Sequence, residues 1–303
     1  MYTALLFRGA RAAAVAALAL TSGLTGIGTA DATGRTGSAP VPIEVRIGAS
    51  GIQAPASAPG GLVTFHVTTD DPAGRALQVF RPKAGITLDQ VLADFTKAVA
   101  STDPADTANG ISAVEHEAEA LGGVTVVPAV AGSATTEISP GTVYLLDFTA
   151  FLQDQSAPVL RSLELCAGPS ADLAEFPDGI VITEETAGGP RFRTENVTLA
   201  DGRFLVHNAS DEIHEMTLQQ VPDGTTDAQL QAIYDAILAG NPPPQGGPAP
   251  LSVGLGGISP GRTALYHAEH LPPGTYALIC FVPDHESGLP HAFLGMHKVV
   301  VLA

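Results

Sequence analysis

The sequence predicts an all-β chain organised as two tandem β-sandwich domains, each carrying a short helical insertion. Three observations point there. Valine-, threonine- and leucine-rich runs are separated by "PG", "DG" and "GG" turns, the punctuation of short strands. The composition, with 33 Gly, 24 Pro and no Trp, suits turns better than long helices. The chain also repeats itself, and the repeat sets the domain organisation.

In chain order, residues 1–32 read as a removable secretory signal. Arg8 and Arg11 precede the apolar run from Ala12 to Leu20, and Ala30-Asp31-Ala32 fits a signal-peptidase site. That run falls short of the roughly 20 residues a membrane helix needs, and no later segment is longer and as apolar. The expected product is exported, secreted or periplasmic, without a membrane span. Residues 33–40 read as a linker.

The first domain is assigned to 41–185 and the second to 190–303, joined by "EETAGGP". "GLVTFHVTTDDPAGRALQVF" at Gly61 matches "GRFLVHNASDEIHEMTLQQV" at Gly202: strand, polar loop, strand. A helix follows in each, opened by Thr87-x-x-Gln90 and Thr226-x-x-Gln229. Both are capping boxes, in which Thr accepts from an orphan helix N–H and Gln reaches back. "ISPG" recurs at Ile138 and Ile258, and "RSLELCAGP" around Cys166 matches "YALICFVP" around Cys280. "GIVIT" at Gly179 and "KVVVL" at Lys298 are each read as the last strand of a domain. "AGNPPPQGGPAP" is read as loop.

Two copies of one unit serve as controls for each other. His66 and His207 align, which points to a role in the fold. His214 aligns with Ala73, and the segment after Cys280 is longer than the one after Cys166. That extra length contains His285, His291, Met296 and His297. Residues present together in one copy and absent from the other are candidates for a site. His297, next to Met296 at a strand entrance, should point to the opposite face.

The second domain resembles the cupredoxins, the Greek-key sandwich family of blue-copper proteins. "FLVHNASDEIHEMTL" resembles the family's early strand, with Asn208 ahead of His214. "GTYALICFVPDHESGLPHAFLGMHKVVV" resembles its late ligand loop, in the order Cys, His, Met. The resemblance implies two tandem cupredoxin-like domains, the first without a ligand set. It also implies a mononuclear copper site of His214, Cys280, one late-loop histidine and Met296. A thiolate and two imidazoles with a weak thioether suit copper in both oxidation states. His285 stands near Cys280 but far from Met296, and His291 the reverse. His291 is preferred, with His285 as the alternative. The implied function is electron transfer or copper handling with a redox or copper-exchange protein partner.

Other chemistry finds little footing. None of the nine histidines forms the H-x-H pair of a trinuclear copper centre. G-x-S-x-G and H-E-x-x-H are absent too, so the expectation is a protein that is not an enzyme. A formal net charge of −17 argues against nucleic acid and anionic membrane as partners. Asp70-Asp71 and Asp211-Glu212 fall in matching loops and are read as part of the shared fold. Glu215 is read as solvent-facing. The competing reading is a metal-free tandem β-sandwich acting as an interaction or structural module, with Cys280 buried or bridged to Cys166.

Overall fold

A computed structural model describes residues 40–168, 173, 176–241 and 250–303. The signal segment, nearly all of the linker and most of "NPPPQGGPAP" lie outside the described residues. The described residues form one compact unit.

Two large sheets pack face to face. One runs Gly189–Glu195, Gly179–Thr186, Arg203–Asn208, Thr263–Ala268, Gly132–Ile138, Gly61–Thr69, Ile43–Gly48, Gly51–Gln53. The other runs His297–Leu302, Gly274–Ile279, His214–Gln220, Ser252–Ile258, Val124–Val126, Arg75–Pro82, Gly141–Asp147, Leu160–Cys166, Ser57–Pro59. Each sheet therefore takes strands from both halves of the chain. They join through Thr263–Ala268 on Gly132–Ile138 and through Ser252–Ile258 on Val124–Val126.

Period-2 alternation puts Val63, Phe65 and Val67 between the sheets, opposite Leu77, Val79, Val143 and Leu145. The second sheet is also covered outside. Phe80 and Leu146 face helix Leu88–Ala100 through Phe95, while Ala277 and Ile279 lie under helix Asp227–Leu238. Both helices begin with the expected capping boxes, at Thr87 and Thr226. A further helix, Pro104–Glu117, starts on an Asp103 cap with Pro at its first position. Its apolar stripe is thin and interrupted by Gly110, so periodicity does not announce it. Gly110 is required: a Cβ there would strike the backbone of Lys97 and Ala98.

One strand pairs differently from the expectation. Gly179–Thr186, read as the end of the first domain, hydrogen-bonds in parallel to Arg203–Asn208 and antiparallel to Gly189–Glu195. Ile43–Gly48 behaves the same way toward Gly61–Thr69 and Gly51–Gln53. Gly179–Thr186 thus pairs with the second set of strands, and "EETAGGP" spans the end of this strand, a two-residue hairpin turn and the start of the next strand. A β-branched run specifies a strand but carries no mark of which distant strand it will join.

Candidate metal centre

His214 opens the strand His214–Gln220, whose inward residues His214, Met216 and Leu218 are all buried. A β-bulge lies between His214 and Met216, opposite Ile258 and Leu255, and such a bulge re-aims a side chain. Gln78, from the first half, holds this region. Its Oε1 accepts from Gly257 N at 2.8 Å and its Nε2 donates to Gly257 O at 3.0 Å.

The loop leading into His214 is tied by Asn208, which is wholly buried. Its amide donates to Glu212 O and Ile258 O at 2.7 and 2.9 Å, while Oδ1 accepts from Thr183 Oγ1 and Ser210 N. Asn208 is thus a clasp within the loop. Its Asn-Ala-Ser sequon is inaccessible in the folded chain, unlike exposed Asn196.

Burial, aided by the nearby His291, drives His214 down from an ordinary 6.5 to about 2. The folded protein therefore keeps His214 neutral while the unfolded chain protonates it below pH 6.5. Between those values the unfolded state binds the extra proton, so acid destabilises. In metal-free protein, the wild type should lose stability relative to His214→Asn as pH falls from 6.5 to 5, with a slope that steepens toward about 1.4 kcal/mol per pH unit. Urea unfolding across that range measures it.

The late loop answers how a long connection can still return a histidine to Cys280. Residues 283–290 form a closed excursion: Pro283 pairs with Pro290, Asp284 N donates to Leu289 O, and Gly288 N donates to Asp284 O. At its base His291 N donates to Val282 O at 3.0 Å, and Ala292 N to Cys280 O at 2.7 Å. The excursion leans on helix Pro104–Glu117, where a Cβ at Gly288 would strike the Pro104 carbonyl. After His291 a 3₁₀ turn, His291–Leu294, ends on Gly295 at φ 102°, a left-handed position that favours glycine. Met296 N then donates to His291 O at 2.9 Å.

These folds bring three donor atoms together. His214 Nδ1 and His291 Nδ1 are 3.0 Å apart, and Cys280 Sγ lies 3.7 and 3.4 Å from them. The point equidistant from all three is about 2 Å from each, close to metal–imidazole bond lengths of about 2.0–2.1 Å. Cys280, His291 and Met296 are fully buried, and His214 nearly so. Met296 shares the core with Cys280 and is held beside the cluster by hydrogen bonds to His291 O and from Cys280 N.

Glu212 orients His291, accepting from its Nε2 at 3.1 Å. That places the ring proton on Nε2 and leaves the Nδ1 lone pair facing Cys280, the role an outer carboxylate plays for a metal-bound histidine. Burial, reinforced by Glu215, pushes the Cys280 thiol well above its usual range. The metal-free thiol keeps its proton, which a metal ion has to displace. A cysteine sulfur and two imidazoles converging at these distances fit copper, with Met296 tied to the same loop through its backbone.

His285 lies outside this cluster. Its Nδ1 sits 3.0 Å from Glu115 of helix Pro104–Glu117, and its backbone N donates to Glu212 at 2.9 Å. His297 faces away, bonding Gln231 at 3.0 Å beneath helix Asp227–Leu238. His66 pairs with Glu44 and His207 with Thr263. Both cysteines are free, Cys166 exposed and Cys280 buried.

Three acidic residues at or beside the site depart from the sequence expectation or are not marked by it. Glu212, assigned to the shared fold, is a buried partner of His291. Glu115 reaches in from the other half, accepting also from Ile213 N at 2.7 Å. Glu215, read as solvent-facing, is partly buried and accepts from Phe281 N at 2.9 Å. Proximity to His214 in the chain is a signal for Glu212; nothing local marks Glu115.

No family model matches the chain, and no curated protein matches it. Among solved structures, reduced auracyanin from the photosynthetic bacterium Roseiflexus castenholzii is 17% identical over 41% of this chain and 94% of its own, with a TM-score of 0.25. Auracyanin A, a "blue" copper protein from Chloroflexus aurantiacus, is 17% identical over 41% of this chain and 98% of its own, with a TM-score of 0.24. Rusticyanin from Thiobacillus ferrooxidans is 16% identical over 41% of this chain and 76% of its own, with a TM-score of 0.22. These are partial likenesses, and the metal reading below rests on the donor atoms themselves.

Proposed function

We propose that this chain binds one copper ion through His214, Cys280 and His291, with Met296 as the weak fourth ligand. In this reading it is a carrier of single electrons, or of copper itself, exchanged with a protein partner, and not a catalyst. Copper, when bound, supplies a one-electron couple. The observation that carries the reading is the convergence of two Nδ1 atoms and one Sγ around a common point, in a pocket closed to water.

The chain's own contribution is rigidity. Glu212 holds one imidazole, the bulge and the Asn208 clasp hold the other, and the backbone bonds among Cys280, His291, Ala292 and Met296 fix the loop. Donors held this way need little rearrangement when the ion's charge changes, which favours fast electron exchange. The leader-like residues 1–32 support an exported setting. Among the described residues no helix is long and apolar enough to cross a membrane.

Adding Cu(II) to the purified protein tests the reading. The expected result is an intense visible thiolate-to-copper band that saturates at one equivalent and survives dialysis. A colourless protein that retains no copper would overturn it and leave the metal-free module.

A further inference from the structure

Outside the metal cluster, the largest opportunity lies on the outer face of the second sheet. There the helices of the first half leave a cavity of about 600 Å³ uncovered. That volume falls within the roughly 300–1,000 Å³ of pockets that enclose small organic ligands. Helices Leu88–Ala100 and Phe148–Gln153 line it with Phe95, Val99, Phe148 and Leu152, and the late loop closes the other side with Phe281. Leu152 and Phe281 are 51% and 41% exposed, so two large apolar side chains stand in the open.

The lining is mostly apolar, with Gln78, Ser101, Thr107 and Thr125 as uncharged polar members, and strand His214–Gln220 turns Thr217 and the one carboxylate, Glu215, toward the cavity. Glu215 uses one oxygen to accept from Phe281 N. Its other oxygen has no hydrogen-bond partner among the described residues. That oxygen is reached from the cavity and offers a ligand's donor an acceptor beside apolar walls. Three phenyl rings favour a flat, aromatic body for that ligand. A free carboxylate oxygen in an acidic chain disfavours anions.

We propose that this cavity binds a small aromatic molecule carrying a hydroxyl or N–H donor, anchored by that donor on Glu215. The bound ring would lie one residue from two of the clustered donors, because Glu215 follows His214 and its partner Phe281 follows Cys280. The inference rests on the cavity and not on the metal, so metal-free full-length protein serves for the test.

The probes are 2-naphthol, which has the donor, and 2-methoxynaphthalene, which lacks it, with binding followed by calorimetry. Wild type should bind 2-naphthol saturably at one site, at least about tenfold tighter than the ether, the ratio expected for one hydrogen bond to a charged acceptor. Glu215→Gln should turn an N–H toward the cavity, lowering 2-naphthol affinity to that of the ether while ether binding persists and reports an intact fold. Thr217→Phe, which fills the floor, should abolish both while the melting transition remains cooperative. No saturable binding to wild type would overturn the proposal. So would a preference for 2-naphthol that survives Glu215→Gln, or binding that survives Thr217→Phe.

Discussion

Cys280→Ser should abolish the visible copper band and the copper retained on dialysis, while Cys166→Ser should leave both unchanged. The two cysteines occur in matching sequence contexts, so the contrast isolates the environment. Cys280 is buried with its sulfur between two imidazoles, whereas Cys166 is exposed at the end of strand Leu160–Cys166. A serine hydroxyl is a harder, weaker donor and has no sulfur orbital to give the colour. The loss in copper affinity should exceed the 10–100-fold typical of losing an outer-sphere partner, since a direct donor is removed. The metal-free variant should remain folded, at a cost of about 1–2 kcal/mol for putting a hydroxyl where a thiol packs. Absorption spectra and copper content after dialysis, with urea unfolding as the folding control, read out both halves. Colour that persists in Cys280→Ser, or vanishes in Cys166→Ser, would contradict the assignment.

Asn208→Ala should lower stability by about 3 kcal/mol and weaken copper binding, although Asn208 has no place among the ligands. Its amide satisfies Glu212 O and Ile258 O in the interior, and its Oδ1 takes Thr183 Oγ1 and both N and Oγ of Ser210. Each buried partner left unsatisfied costs about 1–3 kcal/mol, and Ser210 Oγ, which also reaches Glu212 O, offsets part of that. Asn208→Asp should be no better, because it sets a carboxylate oxygen against the two carbonyls that need a donor. The expected signature is a lower urea midpoint with an unchanged slope. Copper affinity should fall at least about tenfold, because the loop from Asn208 to Ile213 delivers both Glu212 and His214. A variant with wild-type midpoint and affinity would remove Asn208 from the account.

The elements legible in the sequence are those governed by near neighbours. The alternating strands around Phe65 and Val206, and the Thr87 and Thr226 capping boxes, depend on residues a few positions apart. Those local rules operate before any tertiary contact forms. The internal comparison also singled out His214, His285, His291, Met296 and His297, because the first half of the chain lacks them, whereas Cys280 has a counterpart in Cys166. What stayed hidden crosses long distances. Gly179–Thr186 reads as a strand in any setting, and only the parallel partner Arg203–Asn208 decides where it belongs. Helix Pro104–Glu117 has too few apolar positions to stand out alone and is held by packing on helix Leu88–Ala100.

By itself, then, the amino-acid sequence determined the strand-rich character, the two capped helices and the small set of donors worth bringing together. Only the tertiary structure shows which of His285 and His291 lies beside Cys280. The excursion 283–290 docks against helix Pro104–Glu117, where Glu115 takes His285 away, and its closed base sets His291 back beside Cys280. That choice rests on Glu115 and Glu212, carboxylates whose partners are far away in the chain or a turn away in space. Their effect depends on distances of about 3 Å that no local pattern of residues encodes.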